Sequence, residues 1–386
     1  MNNLLLIDDV QLRAAVPLTP KIRPESLTAR PLYKHDHKHP TRRGWLFMGV
    51  NGGPCDKACK MCYYSFQDNL VFYDLNTLIA RANMFRHYYN LQYCDISGGE
   101  ATIYGPKSKD GRRPQLEALI HHCRNIGLLP TIITHGQNNT AELVKGVEDA
   151  GLEDWLISLH GMESGHDNTV VDHRGRGSGG WQRLTDNLAH CHRPVRFNTT
   201  LQNFNYQELP TLARWLSDHR EPTVWNMIQF NPFFAWSERP EIDFQSPLRD
   251  LAPFVGEAVQ IAEAAGWEVN VRYFPFCVAA EHGFARNCIN FYQTQYDPWE
   301  WALEATNRVP AANVMAMGGA EKARRLHCDQ IAASRANDAC NSCRFRPICE
   351  GPTGQYQGRF GIDELRPVAG QPITDIAHFE KGGVFA

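Results

Sequence analysis

The sequence predicts an α/β fold: a parallel sheet with crossover helices, curled into a full or partial barrel. Two observations carry this expectation. Between residue 44 and about residue 230, short apolar runs of strand length alternate with helix-like stretches, and the alternation repeats six times. Each pair of strands is separated by far more than a hairpin loop, and a strand, helix, strand order demands parallel pairing with right-handed crossovers.

The elements follow in order. Strand-like runs are read at 44–51, 93–97, 129–134, 155–159, 195–201 and 224–231. Helix-like stretches are read at 74–90, 115–127, 140–151, 181–191 and 209–219, with a further helix at 251–265 and a strand at 267–273 that leads into a different region. In a fold of this class the reactive chemistry sits in the loops after the C-terminal strand ends. From about residue 274 onward cysteines, aromatics and loop residues dominate, with too little regular pattern for a large independent core, which suggests a small domain stapled by metal. The expected organisation is an extended lead-in or cap at 1–43, a barrel at 44–273, and a cysteine-rich domain and tail at 274–386.

Composition narrows the function. With 39 basic and 42 acidic side chains the formal charge is −3, which argues against a surface built to track nucleic acid. No run reaches 18 apolar residues, so no membrane span is expected. The opening MNNLLLIDDVQLR is wrong for a secretory signal, and a cytoplasmic protein is expected. In a reducing compartment, twelve cysteines point to metal or redox work more than to disulfides. The tract Tyr33-Lys-His-Asp-His-Lys-His-Pro40 reads as a solvated polar loop, with metal binding as the alternative.

The first strand is followed by Asn51-Gly-Gly-Pro-Cys55-Asp-Lys-Ala-Cys59-Lys-Met-Cys62, a C-x3-C-x2-C spacing with no fourth cysteine nearby. Three thiolates on one loop can hold three irons of a [4Fe–4S] cluster and leave the fourth iron open. Zinc completed by a distant histidine is the alternative. The second strand ends in Ser97-Gly98-Gly99-Glu100, where glycines allow close backbone approach and a carboxylate can face an ammonium group.

Together these features resemble the radical S-adenosylmethionine (SAM) superfamily, in which the cysteine loop follows the first strand of a partial (β/α)6 barrel. The resemblance covers roughly residues 44–231. It implies that Gly98, Gly99 and Glu100 match the motif that contacts the SAM amino group. Ile133-Thr134-His135-Gly136 stands where relatives often carry a T-N-G-like turn, with His135 in place of the asparagine. Residues 155–161, followed by His166-Asp167, Arg174 and Gly177-Ser178-Gly179, resemble a further family segment. Thr134, Ser158, His160 and Asn198 thereby become candidate SAM-binding positions; for each, a satisfied polar group at a strand end is the competing reading. Met61 replaces the aromatic residue usual before the third cysteine.

The late group, Cys340-x2-Cys343-x5-Cys349 with Cys277, Cys288 and Cys328 upstream, resembles the SPASM or twitch extensions that hold auxiliary iron–sulfur clusters. The full SPASM pattern is incomplete, because Thr353 stands at the next expected cysteine and none follows Cys349. One auxiliary cluster is therefore expected, held either by Cys328, Cys340, Cys343 and Cys349 or by Cys277, Cys288, Cys340 and Cys343. Zinc is the alternative here too. Cys94, Cys123 and Cys191 read as small buried side chains. The aromatic run Tyr273-Phe-Pro-Phe276, with Phe291, Tyr292, Tyr296, Trp299 and Trp301, packs a small core or walls a pocket.

The resemblance implies reductive cleavage of SAM to a 5′-deoxyadenosyl radical, hydrogen abstraction from substrate, and an electron donor such as flavodoxin or ferredoxin. Three functions are weighed: an enzyme acting on a small biosynthetic molecule, a peptide-modifying enzyme, and a non-catalytic electron carrier or zinc-stabilised binding protein. The lead-in of 43 residues is short for a peptide-recognition module, which favours the first.

Overall fold

A computed structural model describes residues 45–49, 54–62, 73–89, 93–230, 243–291, 338–349, 351–352, 354–374 and 377–380. The lead-in histidine tract, Tyr292, Tyr296, Trp299, Trp301 and Cys328 lie outside the described residues.

Seven described strands form one parallel sheet in chain order: β1 (Trp45–Gly49), β2 (Tyr93–Ser97), β3 (Leu129–Thr134), β4 (Asp154–Ser158), β5 (Val195–Leu201), β6 (Val224–Gln229) and β7 (Glu268–Arg272). The intervening helices are α1 (Leu75–Tyr89), α2 (Pro114–Asn125), α3 (Ala141–Asp149), α4 (Glu163–Thr169), α5 (Gly180–Leu188), α6 (Leu209–His219) and α7 (Leu248–Ala264). The expected β/α architecture is therefore present, with one addition. The strand expected at 267–273 does not leave the sheet; it pairs in register with β6 as a seventh strand, Trp225 opposite Val269 and Asn226 opposite Asn270.

Local chemistry explains the helix starts. Asp74 accepts from the Thr77 amide at 2.9 Å before α1, Thr140 caps α3 through the Leu143 amide, and Pro114 opens α2, where its missing N–H costs nothing. Asp167 caps α5 from a distance in sequence, accepting from the amides of Gly179 (2.8 Å) and Trp181 (2.6 Å). Gly177 passes so close to the Asp167 carbonyl that no side chain fits. The His166-Asp167 and Gly177-Ser178-Gly179 pieces of the sequence are thus joined by a helix cap.

A sheet wound in simple sequence order by right-handed crossovers carries all its helices on one face. The strand side chains divide accordingly. Ile96, Ile132, Trp155, Ile157, Phe197, Trp225, Met227, Val269 and Val271 point to the helices and form the core. The alternate positions, on the other face, are largely polar: Asp95, Thr131, Asp154, Ser158, Arg196, Asn198, Asn226, Glu268, Asn270 and Arg272. A parallel sheet buried on both faces reads as continuous apolar runs; this one alternates, so its inner face is built for polar contents. At the N-terminal end of that face Arg196 lies against Asp154, with Nε to Oδ2 at 2.8 Å, and reaches Thr131 and Asp95. That buried ion group closes the floor.

Beyond β7 come α8 (Phe276–Glu281) and a 3-10 segment Ala285–Phe291. Phe345 stacks on Phe276 and on Phe379, and the Tyr356 hydroxyl accepts from the Leu248 amide at 2.6 Å. Buried side chains of the cysteine-rich region, including Phe276, Phe345, Ile348 and Tyr356, belong to the same apolar cluster as the sheet.

Candidate functional site

The cysteine loop lies at the C-terminal edge of β1. Cys55, Cys59 and Cys62 are half-buried. Backbone bonds hold the loop from two sides: Ala58 N donates to Val171 O (2.8 Å) and Lys60 N to Thr169 O (3.3 Å), while Glu100 N donates to Pro54 O (3.1 Å). The Lys57 amide points at Cys55 Sγ, 3.3 Å away. Burial pushes the Cys55 and Cys59 thiols far up, and each is raised further by a sulfur beside it and by Glu100. Sulfurs crowded this way beside carboxylates give up their protons most readily to a cationic centre.

Glu100 is the hub of the neighbouring loop. Gly98 and Gly99 both adopt positive φ, 101° and 66°, a conformation that glycine takes without strain. The turn buries the Glu100 carboxylate, which accepts from Thr102 N (3.0 Å), Thr102 Oγ1 (2.6 Å), Thr134 Oγ1 (2.7 Å) and His135 N (2.9 Å). Glu100 thus ties the β2 edge to the β3 edge. Thr134 is spent in the same way, since its hydroxyl also accepts from Gly136 N at 3.0 Å.

His135 closes the circuit. Its Nδ1 accepts from Gln137 N at 3.1 Å, so Nε2 carries the proton and meets Asp56 Oδ1 at 2.9 Å. Burial opposes a charge on His135, but Glu100 and Asp56 outweigh it and raise its pKa. Burial likewise opposes ionisation of Asp56, yet the His135 contact and Lys57 hold it well below the usual carboxylate range. Cys55, Asp56 and His135 bring three ligating atoms within 4.8 Å of one another.

On the β4 edge, His160 Nδ1 accepts from Thr200 N at 3.0 Å, and burial pushes its pKa down to about 4. It is a neutral ring with Nε2–H left to donate. His166 stacks on it at 6.2 Å, accepts from the His160 amide, and sets its ring edgewise to Trp181. Asn205 braces this corner, its Nδ2 donating to His160 O (2.8 Å) and Thr200 O (2.9 Å).

Below the rim, one row crosses four strands. Ser158 stands opposite Asn198, Asn198 opposite Asn226, and Asn226 opposite Asn270. The amides link in one direction: Asn270 Nδ2 donates to Asn226 Oδ1 at 2.9 Å, and Asn226 Nδ2 to Asn198 Oδ1 at 2.7 Å.

The late cysteines meet next to the end of β7. Cys277 lies on α8, and Cys340, Cys343 and Cys349 on the 338–349 segment. Burial raises Cys277 to about 11, with Cys343 and Cys340 adding to it. Burial raises Cys349 to about 12, with Cys277 and Cys340 adding. Three backbone amides point at these sulfurs, each at 3.4 Å: Phe276 N and Gly351 N at Cys349, Val368 N at Cys343. Cys288 feels Cys349, and its thiol donates to Phe284 O. Between this group and β7 stands Tyr273, the one described non-glycine residue at positive φ, 67°.

No protein-family model matches this chain, and no curated protein does. Solved structures do. SuiB of Streptococcus suis bound to precursor peptide SuiA aligns with a TM-score of 0.47 at 14% identity, over 59% of this chain and 48% of that one. For anSMEcpe with bound AdoMet the TM-score is 0.46 at 14% identity, over 59% and 63%. For HydG, a maturase of the [FeFe]-hydrogenase, it is 0.46 at 10% identity, over 62% and 54%. The chain spans about half the length of the SuiB structures it matches.

Of the residues singled out from sequence, the structure gathers Cys55, Cys59, Cys62, Gly98, Gly99, Glu100 and Thr134 in adjoining loops, with His160 on the β4 edge and Ser158 and Asn198 in the row below. It groups Cys277 with Cys340, Cys343 and Cys349, a set that draws on both combinations read from sequence. Cys94, Cys123 and Cys191 are buried in the core as expected. Asp56, Asn226 and Asn270 are not among the residues singled out from sequence. For the asparagines a signal was available: VWNMIQ and EVNVR place a polar residue in an apolar run, as RFNTT does at Asn198.

Proposed function

We propose that this chain is a radical SAM enzyme. The observation that carries the reading is the Asp56–His135–Glu100 circuit, which locks the C-x3-C-x2-C loop to the two neighbouring strand-end loops. Three thiols on one loop, with no fourth, fit a [4Fe–4S] cluster that keeps one iron open.

Cys55, Cys59 and Cys62 would hold this cluster, and Cys277, Cys340, Cys343 and Cys349 an auxiliary one. The cluster with bound SAM supplies reductive cleavage of the sulfonium to a 5′-deoxyadenosyl radical, which takes a hydrogen atom from substrate. The protein positions and shields. The positive-φ turn at Gly98 and Gly99 exposes backbone to the ligand, with Glu100 as its internal anchor. His160 offers a neutral N–H donor, and Ser158 and Asn198 offer hydroxyl and amide groups on the inner face. The substrate in this reading is a small molecule, with a peptide as the alternative that the test below separates.

The test is anaerobic. Reconstituted protein with reductant and SAM should release 5′-deoxyadenosine, and candidate metabolites should accelerate the release. Acceleration by peptides alone would move the substrate assignment to peptides. Iron-loaded protein that neither binds nor cleaves SAM would overturn the reading.

A further inference from the structure

The inner face carries three asparagines in register on three successive strands, Asn198, Asn226 and Asn270. A primary amide has an acceptor end and a donor end, and its orientation is set by what each end meets. Here the ends meet head to tail: Asn270 donates to Asn226, and Asn226 donates to Asn198. The acceptor end of Asn198 is therefore committed to its neighbour. Its NH2 makes no hydrogen bond among the described residues, and the side chain is half-buried on the face that the helices leave open.

We propose that Asn226 and Asn270 are positioning residues that hold Asn198 with its NH2 presented to the ligand, so that the ligand atom facing it is an oxygen acceptor, a ribose hydroxyl or a carboxylate. The proposal rests on the reading of the chain as a SAM-binding enzyme. Neither asparagine touches the ligand in this account. They act by forbidding the flipped amide, because a flip of Asn198 would set its NH2 against the NH2 of Asn226, and a flip of Asn226 would do the same against Asn270. In-register amides bond head to tail, and the direction of this ladder decides which group is left over at its Asn198 end, the NH2.

Substitution at Asn226 separates orientation from packing. In Asn226→Asp both oxygens accept, so Asn198 must turn its NH2 toward the carboxylate and show its oxygen to the ligand. Asn226→Leu removes the lock without imposing the reverse. SAM is titrated calorimetrically into anaerobically reconstituted protein, with iron content measured on each sample so that cluster loss is not mistaken for weaker binding. Loss of one good hydrogen bond corresponds to about tenfold in affinity. The expected order is about tenfold weakening for Asn198→Ala and at least that for Asn226→Asp. A smaller loss, on the order of threefold, is expected for Asn226→Leu and for Asn270→Leu, whose effect must pass through Asn226. In the Asn198→Ala background, Asn226→Asp should add almost nothing, since contacting residues couple in a double-mutant cycle.

Additive effects of Asn198→Ala and Asn226→Asp, or a leucine variant weaker than the aspartate one, would overturn the proposal while leaving the enzyme reading intact. If Asn226→Asp does not fold, Asn270→Leu with and without Asn198→Ala gives the same cycle. Wild-type protein with full iron that fails to bind SAM would instead overturn the enzyme reading, and the ligand role of the ladder with it.

Discussion

Nε2 of His135 lies 2.9 Å from Asp56 Oδ1, so the loop after β3 grips the cysteine loop between its first two cysteines. The same ring nitrogen is 3.3 Å from Glu100 Oε2. Under the proposed cluster assignment, iron retention should depend on His135 as well as on the three thiols. His135→Ala should lose iron to a chelator several times faster than wild type while Cys55, Cys59 and Cys62 remain unchanged. Equal chelation half-times would show that the clasp is dispensable.

The three early cysteines are expected to act as a set. Replacing any one of them by alanine should abolish SAM cleavage, with loss of the corresponding cluster absorption. Full activity in one variant would remove that residue from the ligand set.

The late cysteines give a countable outcome. Two four-iron clusters amount to about eight irons per chain. Cys349→Ala should bring the count to about four, with SAM cleavage retained but uncoupled from product. A wild-type count near four, accompanied by zinc, would assign the late group to zinc instead.

His160 predicts a pH dependence. Burial holds its folded pKa at about 4, below the ordinary 6.5. The unfolded chain therefore binds the proton first as pH falls, and the neutral ring's contribution is whole above pH ~6.5 and shrinks toward pH ~4. Between pH 7 and pH 5 the loss attributable to this ring is about 2 kcal/mol. Denaturant titrations should show that slope reduced by this amount in His160→Gln; an unchanged slope would place the sensitivity elsewhere.

Arg196 tests the floor of the inner face. It is buried against Asp154, with Asp95 and Thr131 in reach. Removing one member of a buried ion group leaves the others unpaired, at a cost of ~3–5 kcal/mol. Arg196→Ala should unfold many degrees below wild type, whereas Arg196→Ala combined with Asp154→Ala should recover part of the loss.

Most of the sheet was legible because its strands are short apolar runs with turn residues at both ends. The bounds at Tyr93–Ser97, Leu129–Thr134 and Val195–Leu201 match the expectation residue for residue. The helix Glu163–Thr169 was not foreseen, since ESGHDNT has no apolar stripe and is held by Glu208, which accepts from the Met162 amide at 2.8 Å. The seventh strand was seen as a strand but not as part of the sheet. Its apolar positions, Val269 and Val271, face the helices like those of β6, but pairing partners leave no mark in a single strand's sequence. At the site, cysteine spacing singles out the loop that the structure places beside the Glu100 turn. What the spacing could not announce is the internal consumption of Glu100 and Thr134, because side chains spent on each other look the same in sequence as side chains waiting for a ligand.

The early cysteines follow β1 and the late ones gather about Cys277, just beyond β7, at the opposite borders of one sheet. Six strand-to-strand steps at ~4.8 Å amount to about 29 Å measured along the pleats. Straight-line separation across the hollow is shorter, and how much shorter depends on how tightly the strands roll. The spacing of the two cysteine groups is thus a property of the sheet's curl, and a substitution in mid-sheet that flattened it would carry them apart without touching either group of sulfurs.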